Sequence, residues 1–314
     1  MAVTPRDVQA LVSVARREVA TAAQLRRDCF PTDGDGRISR RRLQMLYSAG
    51  MLARLRQQVV DPLHGVSAPV YHSTRRGLDF LAANVDPCYA NYSCRTPNWQ
   101  TLVHQLALGE MRILIESAAA GEKDFWVENY TTEFSIVDKD AKLPEQRFRL
   151  YTLLAEKPKR LVCNPDFMFV MRNARGARVV VGEHERGTTH PDKAAALKSV
   201  GYAELAKRKL HRRWCEEASD RFMVVVTAPD STWRDKLIAS FAKKAEPSLY
   251  RFAALPDLTP ASYFRSSVWH RCDGTVGPLV KSEGQPEAIP VGAREAAAAG
   301  RRASKQQEAQ VADR

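Results

Sequence analysis

The sequence predicts an α+β protein in two folded parts, and three observations carry that prediction. Residues 5–84 show helical apolar spacing three times, then two alternating stretches, then a further helix. Residues 100–227 run through a long amphipathic helix, three strands, a helix and an apolar strand, an αβββαβ order. The length of 314 residues suits two domains at roughly 150 residues each, enough to bury a core without disulfide or metal staples. Apolar content of 44% and charged content of 27% exclude a disordered or collagen-like chain. No apolar run reaches membrane-spanning length, and residues 1–20 lack the apolar core of a signal peptide. A cytoplasmic location follows as the expectation. The cysteines at 29, 88, 94, 163, 215 and 272 form no C-x-x-C pair, so free thiols are expected rather than a zinc site.

The first part is built from short signals. Val8, Leu11, Val12 and Val14 set a helix over 5–17. Thr21 is a fair N-cap for a second helix over 21–29. The FPTDGDGR segment breaks the chain at Pro31, Gly34 and Gly36. Ser39 can cap a third helix with Leu43, Leu46 and Tyr47 inward, and Gly50 is a plausible stop. The stretches LARLRQQVV and APVYHST flank a DPLHG turn, and TRRGLDFLAAN closes the unit. Three helices, a hairpin and a helix is the order of a winged helix-turn-helix, assigned to residues 1–84. TDGDGRIS superficially suggests a calcium loop. Pro31 and Arg42 stand at its first and twelfth positions, where carboxylates are needed, so calcium is rejected.

Charge supports a nucleic-acid partner for this part. The whole chain is +12; residues 1–84 contain 13 Arg, no Lys and 7 acids, net +6. Guanidinium is planar and bidentate, which suits phosphates and base edges. Arg37, Arg40, Arg41 and Arg42 lie at the start of the third helix, whose N-terminal residues reach bases in helix-turn-helix proteins. Arg54 and Arg56 alternate on the first wing strand, and Arg75 and Arg76 follow the second. A solvated arginine face is the plain alternative.

Residues 85–99 lack periodicity and read as a linker. The second part is assigned to 100–280: a helix over 100–119, a strand at 125–130, a polar loop over 138–160, and a hairpin of strands 166–171 and 177–182. A helix from 193 to 213, a buried strand at 221–229, a helix capped by Asp230 or Ser231 and a short strand at 250–255 follow. Residues 281–314 are rich in Ala, Gly, Gln and charge, and a disordered tail is expected there.

One constellation can do chemistry. Asp166 heads one hairpin strand, and Glu183 and Glu185 end the other. Residues two apart on a strand share a face, so the hairpin brings three carboxylates together. They cannot all ionise comfortably without a cation, and hard oxygen donors suit Mg²⁺ or Mn²⁺. A solvated loop end, with Glu185 paired to Arg186, is the alternative. His184 points to the other face. His104 lies on the apolar side of its helix, as a core histidine would. Glu110 is either another site acid or a solvent-facing charge.

This order, with Pro165-Asp166 followed by Glu183-x-Glu185, resembles the PD-(D/E)xK restriction-endonuclease-like core, with Glu185 where that signature usually has Lys. A more specific resemblance, over roughly residues 5–255, is to the replication-relaxation family, including MobC-type plasmid relaxases. It rests on Glu183-His184-Glu185-Arg186-Gly187-Thr188, on Lys198-x3-Tyr202, and on the preceding winged helix. The resemblance implies that Asp166, Glu183 and Glu185 form the metal-binding set. It also implies that Lys198 supplies the missing ammonium, a solvated helix charge being the other reading. Tyr202 reads as packed. The expected activity is metal-dependent nicking of one strand of double-stranded DNA at a plasmid transfer or replication origin, with other relaxosome proteins as further partners. The alternative is a non-catalytic DNA-binding accessory factor or transcriptional regulator.

Overall fold

A computed structural model describes residues 3–55, 59–60, 67–158, 160–281 and 289–290. The expected disordered tail falls largely outside the described residues, as does Arg56. The chain divides into two compact units: residues 1–116 with 130–152, and residues 117–129 with 153–314.

The first unit begins with α1 (Pro5–Arg17), β1 (Val19–Thr21), α2 (Ala22–Cys29) and α3 (Arg37–Ser48). It continues with β2 (Leu52–Arg54), β3 (Val59–Val60), β4 (Ser67–Ala68), β5 (Val70–Ser73) and α4 (Arg75–Asn84). Most of α5 (Trp99–Ala120) also belongs to it. Strands β1, β5 and β2 form an antiparallel sheet with β5 central, and β3 pairs with β4. Thr21 caps α2 as expected, in a reciprocal box with Gln24. Gly50 ends α3 with φ +68°, which glycine adopts without strain.

Three sequence expectations are corrected in this unit. Ser39 does not cap α3. Asp33 does, accepting from the amides of Ile38 (3.2 Å) and Ser39 (2.7 Å), while the Ser39 hydroxyl donates to Gly36 O. The acidic TDGDG segment is therefore a helix cap. Tyr47, expected inward, is exposed. Segment 85–99 is not featureless: a 3-10 helix spans Pro87–Asn91, and Tyr89 is buried in the same core as Leu11, Leu43 and Leu78. The α5 helix packs Leu102 and Leu106 against Val19 and Val70, and Gln24 donates to Leu106 O at 2.9 Å.

In chain order, β6 (Phe125–Thr132), α6 (Pro144–Arg147), β7 (Thr152–Ala155) and β8 (Leu161–Cys163) follow α5. The segment expected as a polar loop thus contains a helical turn and a strand. Next come β9 (Phe167–Asn173), β10 (Gly176–His184), α7 (Pro191–Lys207), β11 (Met223–Ala228), α8 (Ser231–Phe241) and β12 (Tyr250–Ala254). Short strands β13 (Trp269–His270), β14 (Thr275–Gly277) and β15 (Ile289–Pro290) complete the set. The helix expected to run to 213 ends at Lys207, and residues 210–213 form a 3-10 turn. Asp230 caps α8 through the Trp233 amide.

The large sheet is mixed, in the order β15-β14-β13-β12-β11-β10-β9-β6. The β9–β10 pair is an antiparallel hairpin, whereas β10–β11 and β11–β12 are parallel. Phe167, Phe169, Tyr250, Phe252, Phe264 and Trp269 are all fully buried in this unit. Burial of such large aromatic surface contributes substantially to its stability.

Candidate functional site

The antiparallel register places Phe167 opposite Gly182, so Asp166 comes beside the end of β10. The Asp166 carboxylate accepts from the His184 amide at 2.7 Å. Glu183, 3% exposed, is one of the most enclosed acids in the unit. It accepts from the Lys198 ammonium and from the Tyr202 hydroxyl. Glu185 lies just beyond the strand, where its amide donates to Thr227 O at 2.9 Å. Its carboxylate stands 2.9 Å from the same ammonium. Lys198 therefore bridges the two glutamates, and Glu185 does not pair with Arg186 as the alternative reading had it.

Helix α7 makes this possible. Lys198 and Tyr202 are four residues apart and share a face. Between them, Gly201 lets the helix approach β8: a Cβ there would sit 3.1 Å from Val162 O. His184 takes the other side of β10, its Nδ1 3.0 Å from the Thr227 hydroxyl.

The electrostatics follow from burial. Desolvation pushes the Glu183 carboxyl well above the usual range; Lys198 opposes that shift and Asp166 adds to it. Desolvation alone would lower Lys198, but Glu183, Asp166 and Glu185 outweigh it and raise the ammonium. Lys198 thus stays protonated and acts as a fixed positive charge, not as a base. Burial and Glu183 push the Tyr202 hydroxyl up as well, so Tyr202 is a hydrogen-bond donor to Glu183. That role carries no sequence signal beyond its spacing from Lys198.

Three carboxyl groups gather about one ammonium in a largely enclosed space, with Glu183 already pushed up by burial, and oxygen donors are the kind that Mg²⁺ or Mn²⁺ takes. Among the described residues, the ligand atoms of Asp166, Glu183 and Glu185 do not all lie within 4.8 Å of one another. The three acids therefore do not close on one point as a set, though oxygen donors from two of them are of the type a hard cation takes.

In the first unit the arginine candidates separate. Arg37, Arg40 and Arg41 are exposed and share one face of α3 by their spacing. Arg42 turns the other way. Its Nε donates to Asp7 Oδ1 at 2.8 Å, and its Nη2 also pairs with that fully buried carboxylate. Arg42 ties α3 to the cap of α1. Its spacing from Ser39, Leu43 and Leu46 on the buried side was the available signal. Arg54 is exposed and stacks on Tyr47, 5.0 Å from the ring centroid. Arg75 donates to Ala90 O at 3.0 Å, and Arg76 is exposed. Glu110 is buried and paired with Arg27. His104 is only half-buried and lies 3.2 Å from Glu133, a polar pairing rather than an apolar core position.

Fold and site together define a mixed α+β protein whose second unit holds a buried acid–ammonium cluster. The chain belongs to the replication-relaxation family, whose family model matches residues 11–218. That match runs from α1 through Asp166, Glu183, Glu185, Lys198 and Tyr202, and links the chain to replication and relaxation. No curated protein and no solved structure matches it. Among the described residues, no helix is long and apolar enough to cross a membrane.

Proposed function

We propose that the protein is a metal-dependent DNA relaxase of the MobC type, which nicks one strand at a plasmid transfer or replication origin. The observation that carries this reading is the Lys198 ammonium, seated between Glu183 and Glu185 beside Asp166. An enclosed acid cluster with its own positive charge is the equipment that phosphodiester cleavage needs.

In this reading the first unit is a winged helix-turn-helix, and Arg37, Arg40 and Arg41 enter the major groove of origin DNA. Arg54, Arg75 and Arg76 contact the backbone. The second unit is the restriction-endonuclease-like core. Two of the three acids, Asp166 with Glu183 or Glu185, would hold Mg²⁺ or Mn²⁺. Such an ion, when bound, lowers the pKa of a coordinated water and neutralises charge on a phosphate. Lys198 presents a permanent charge to the scissile phosphate, Glu185 and Glu183 fix its position, and Tyr202 fixes the Glu183 carboxylate.

The test is incubation of the protein with supercoiled plasmid carrying its cognate origin, with and without Mn²⁺. Open-circular product that requires Mn²⁺ and disappears in Asp166→Ala is the expected result. A second reading, a non-catalytic DNA-binding accessory factor, is favoured by the near-complete enclosure of Glu183 between Lys198 and Tyr202. Origin binding with no nicking under any metal would select it.

A further inference from the structure

The end of the β9–β10 hairpin away from Glu183 borders a cleft that the acid cluster does not use. Its volume is about 510 Å³, within the roughly 300–1,000 Å³ span of small-molecule sites. Arg178, Arg251, Arg271 and Lys281 line it, and none of the four has a carboxylate within ion-pair distance among the described residues. The acids nearby are already engaged. Glu217 pairs with Arg172, and Asp273 accepts from the amide and hydroxyl of Thr275. The Nε of Arg271 is buried with no hydrogen-bond partner. Arg251 points its Nη1 at Ser248 O and Tyr250 O. Met171, Met223 and Leu279 add apolar wall beside these cations.

Clustered like charges oppose one another, and the nearby Asp273 carboxylate offsets only part of that repulsion. Burial first, and then the positive charge of Arg271, pull Arg251 down to about 10. An anion in the cleft relieves both penalties and supplies an acceptor for the orphaned Arg271 Nε. A bare inorganic anion leaves most of the volume and the apolar wall unused. Guanidinium forks match phosphate oxygens, and the methionine and leucine side chains offer a surface for a flat ring.

We propose that this cleft binds a nucleoside monophosphate unit, its phosphate among Arg178, Arg251 and Arg271 and its base against Met171, Met223 and Leu279. The unit is either a free nucleotide or one residue of a single strand. Five residues of strand β10 separate Arg178 from Glu183, roughly 17 Å, so the site is distinct from the acid cluster and needs no metal.

The full-length protein is titrated in EDTA with a fluorescent deoxyadenosine monophosphate, with a 5′-phosphorylated single-stranded tetranucleotide, and with inorganic phosphate. Arg178 is exposed and makes no ion pair among the described residues, so Arg178→Ala should fold normally; Arg271→Gln is the second variant. Nucleotide or tetranucleotide should bind more tightly than inorganic phosphate, and about tenfold more weakly in at least one variant. Tighter binding of the tetranucleotide identifies a strand as the source, and otherwise a free nucleotide. Binding of both no tighter than that of inorganic phosphate overturns the proposal. So does an affinity unchanged in both variants. Because EDTA is present throughout, a failure to nick plasmid leaves this result untouched.

Discussion

Phe167 and Gly182 face each other across the β9–β10 ladder, and the Phe167 ring occupies the space that a side chain on residue 182 would need. A Cβ built on Gly182 would lie 1.9 Å from Phe167 Cζ. The neighbours in sequence are Asp166 and Glu183, so the close approach of ring and backbone sets the spacing of the two acids.

Gly182→Ala should therefore destabilise the second unit by about 1–3 kcal/mol or more through overpacking. Denaturant unfolding measures it. Adding Phe167→Leu should recover part of the loss, because a smaller side chain yields the space. A Gly182→Ala protein as stable as the parent would mean that the ring moves freely, and the acids would then lack this constraint.

The outline of both units was legible where a local signal decides the outcome. Thr21 and Asp230 cap their helices through bonds to residues three positions on. The apolar run of β11 needs two covered faces, and it has them. The spacing of Glu183 and Glu185 placed both against one partner. What was not legible depends on tertiary docking. Asp33 displaces Ser39 as a cap because a loop carboxylate reaches two helix amides. Tyr89 is buried although its segment has no periodicity. The bridging position of Lys198 depends on Gly201 letting α7 approach β8, a relation between distant segments that no spacing rule encodes.

Arg41 and Arg42 are adjacent in sequence and should behave oppositely. Arg41→Ala should weaken duplex binding while leaving the melting temperature unchanged, because the side chain is exposed. Its loss should also flatten the salt dependence of binding, by about one unit of slope if it contacts a phosphate. Arg42→Ala should cost about 1–3 kcal/mol of stability by leaving the buried Asp7 carboxylate short of its partner. Asp7 is held below its usual value: burial would raise it, but bonds from Arg42 and Thr4 prevail. A depressed carboxyl stabilises the fold above its unfolded pKa and loses that effect as pH falls through the folded value. Arg42→Ala should thus differ most from the parent near neutrality and least in strong acid. Equal melting of parent and variant at pH 7 would remove Arg42 from this structural role.

Glu18 follows the opposite pH rule. Burial, and then the nearby Glu133 charge, push its carboxyl up to about 8. A raised carboxyl favours the fold fully below the unfolded pKa, and that contribution disappears as pH rises through the folded value. The first unit should weaken between pH 5 and 8 from this group. Glu18→Gln keeps the Gln105 side chain, 3.2 Å away, within hydrogen-bond reach and removes the charge. It should gain on the order of 1–4 kcal/mol relative to the parent at pH 8.5, each unit by which the carboxyl is raised being worth about 1.4 kcal/mol, and little at pH 5. Melting curves across that range decide it; parallel pH profiles would place the titration elsewhere.

Lys198 gives the sharpest separation of structure from chemistry. Its side chain is 28% exposed while that of Glu183 is 3% exposed, so truncating the lysine strands a charge that water cannot reach. Removing one partner of a buried pair costs about 3–5 kcal/mol, whereas replacing both is far milder. Lys198→Met should therefore lose several kcal/mol by denaturant unfolding at pH 8. Lys198→Met combined with Glu183→Gln should recover most of it. Without the ammonium, the folded carboxyls move further up, so the single variant should regain stability as pH falls towards 5 and they take up protons. Nicking is therefore compared near neutral pH, at a temperature low enough to keep the variant folded, because acid would also protonate the carboxyls proposed to hold the metal. The proposed chemistry then predicts that nicking is abolished while duplex binding through Arg40 and Arg41 persists, since one electrostatic stabiliser is typically worth ~10²–10³ in rate. Plasmid nicking at the parent rate by folded Lys198→Met would leave Lys198 as a structural counter-ion to Glu183 and Glu185.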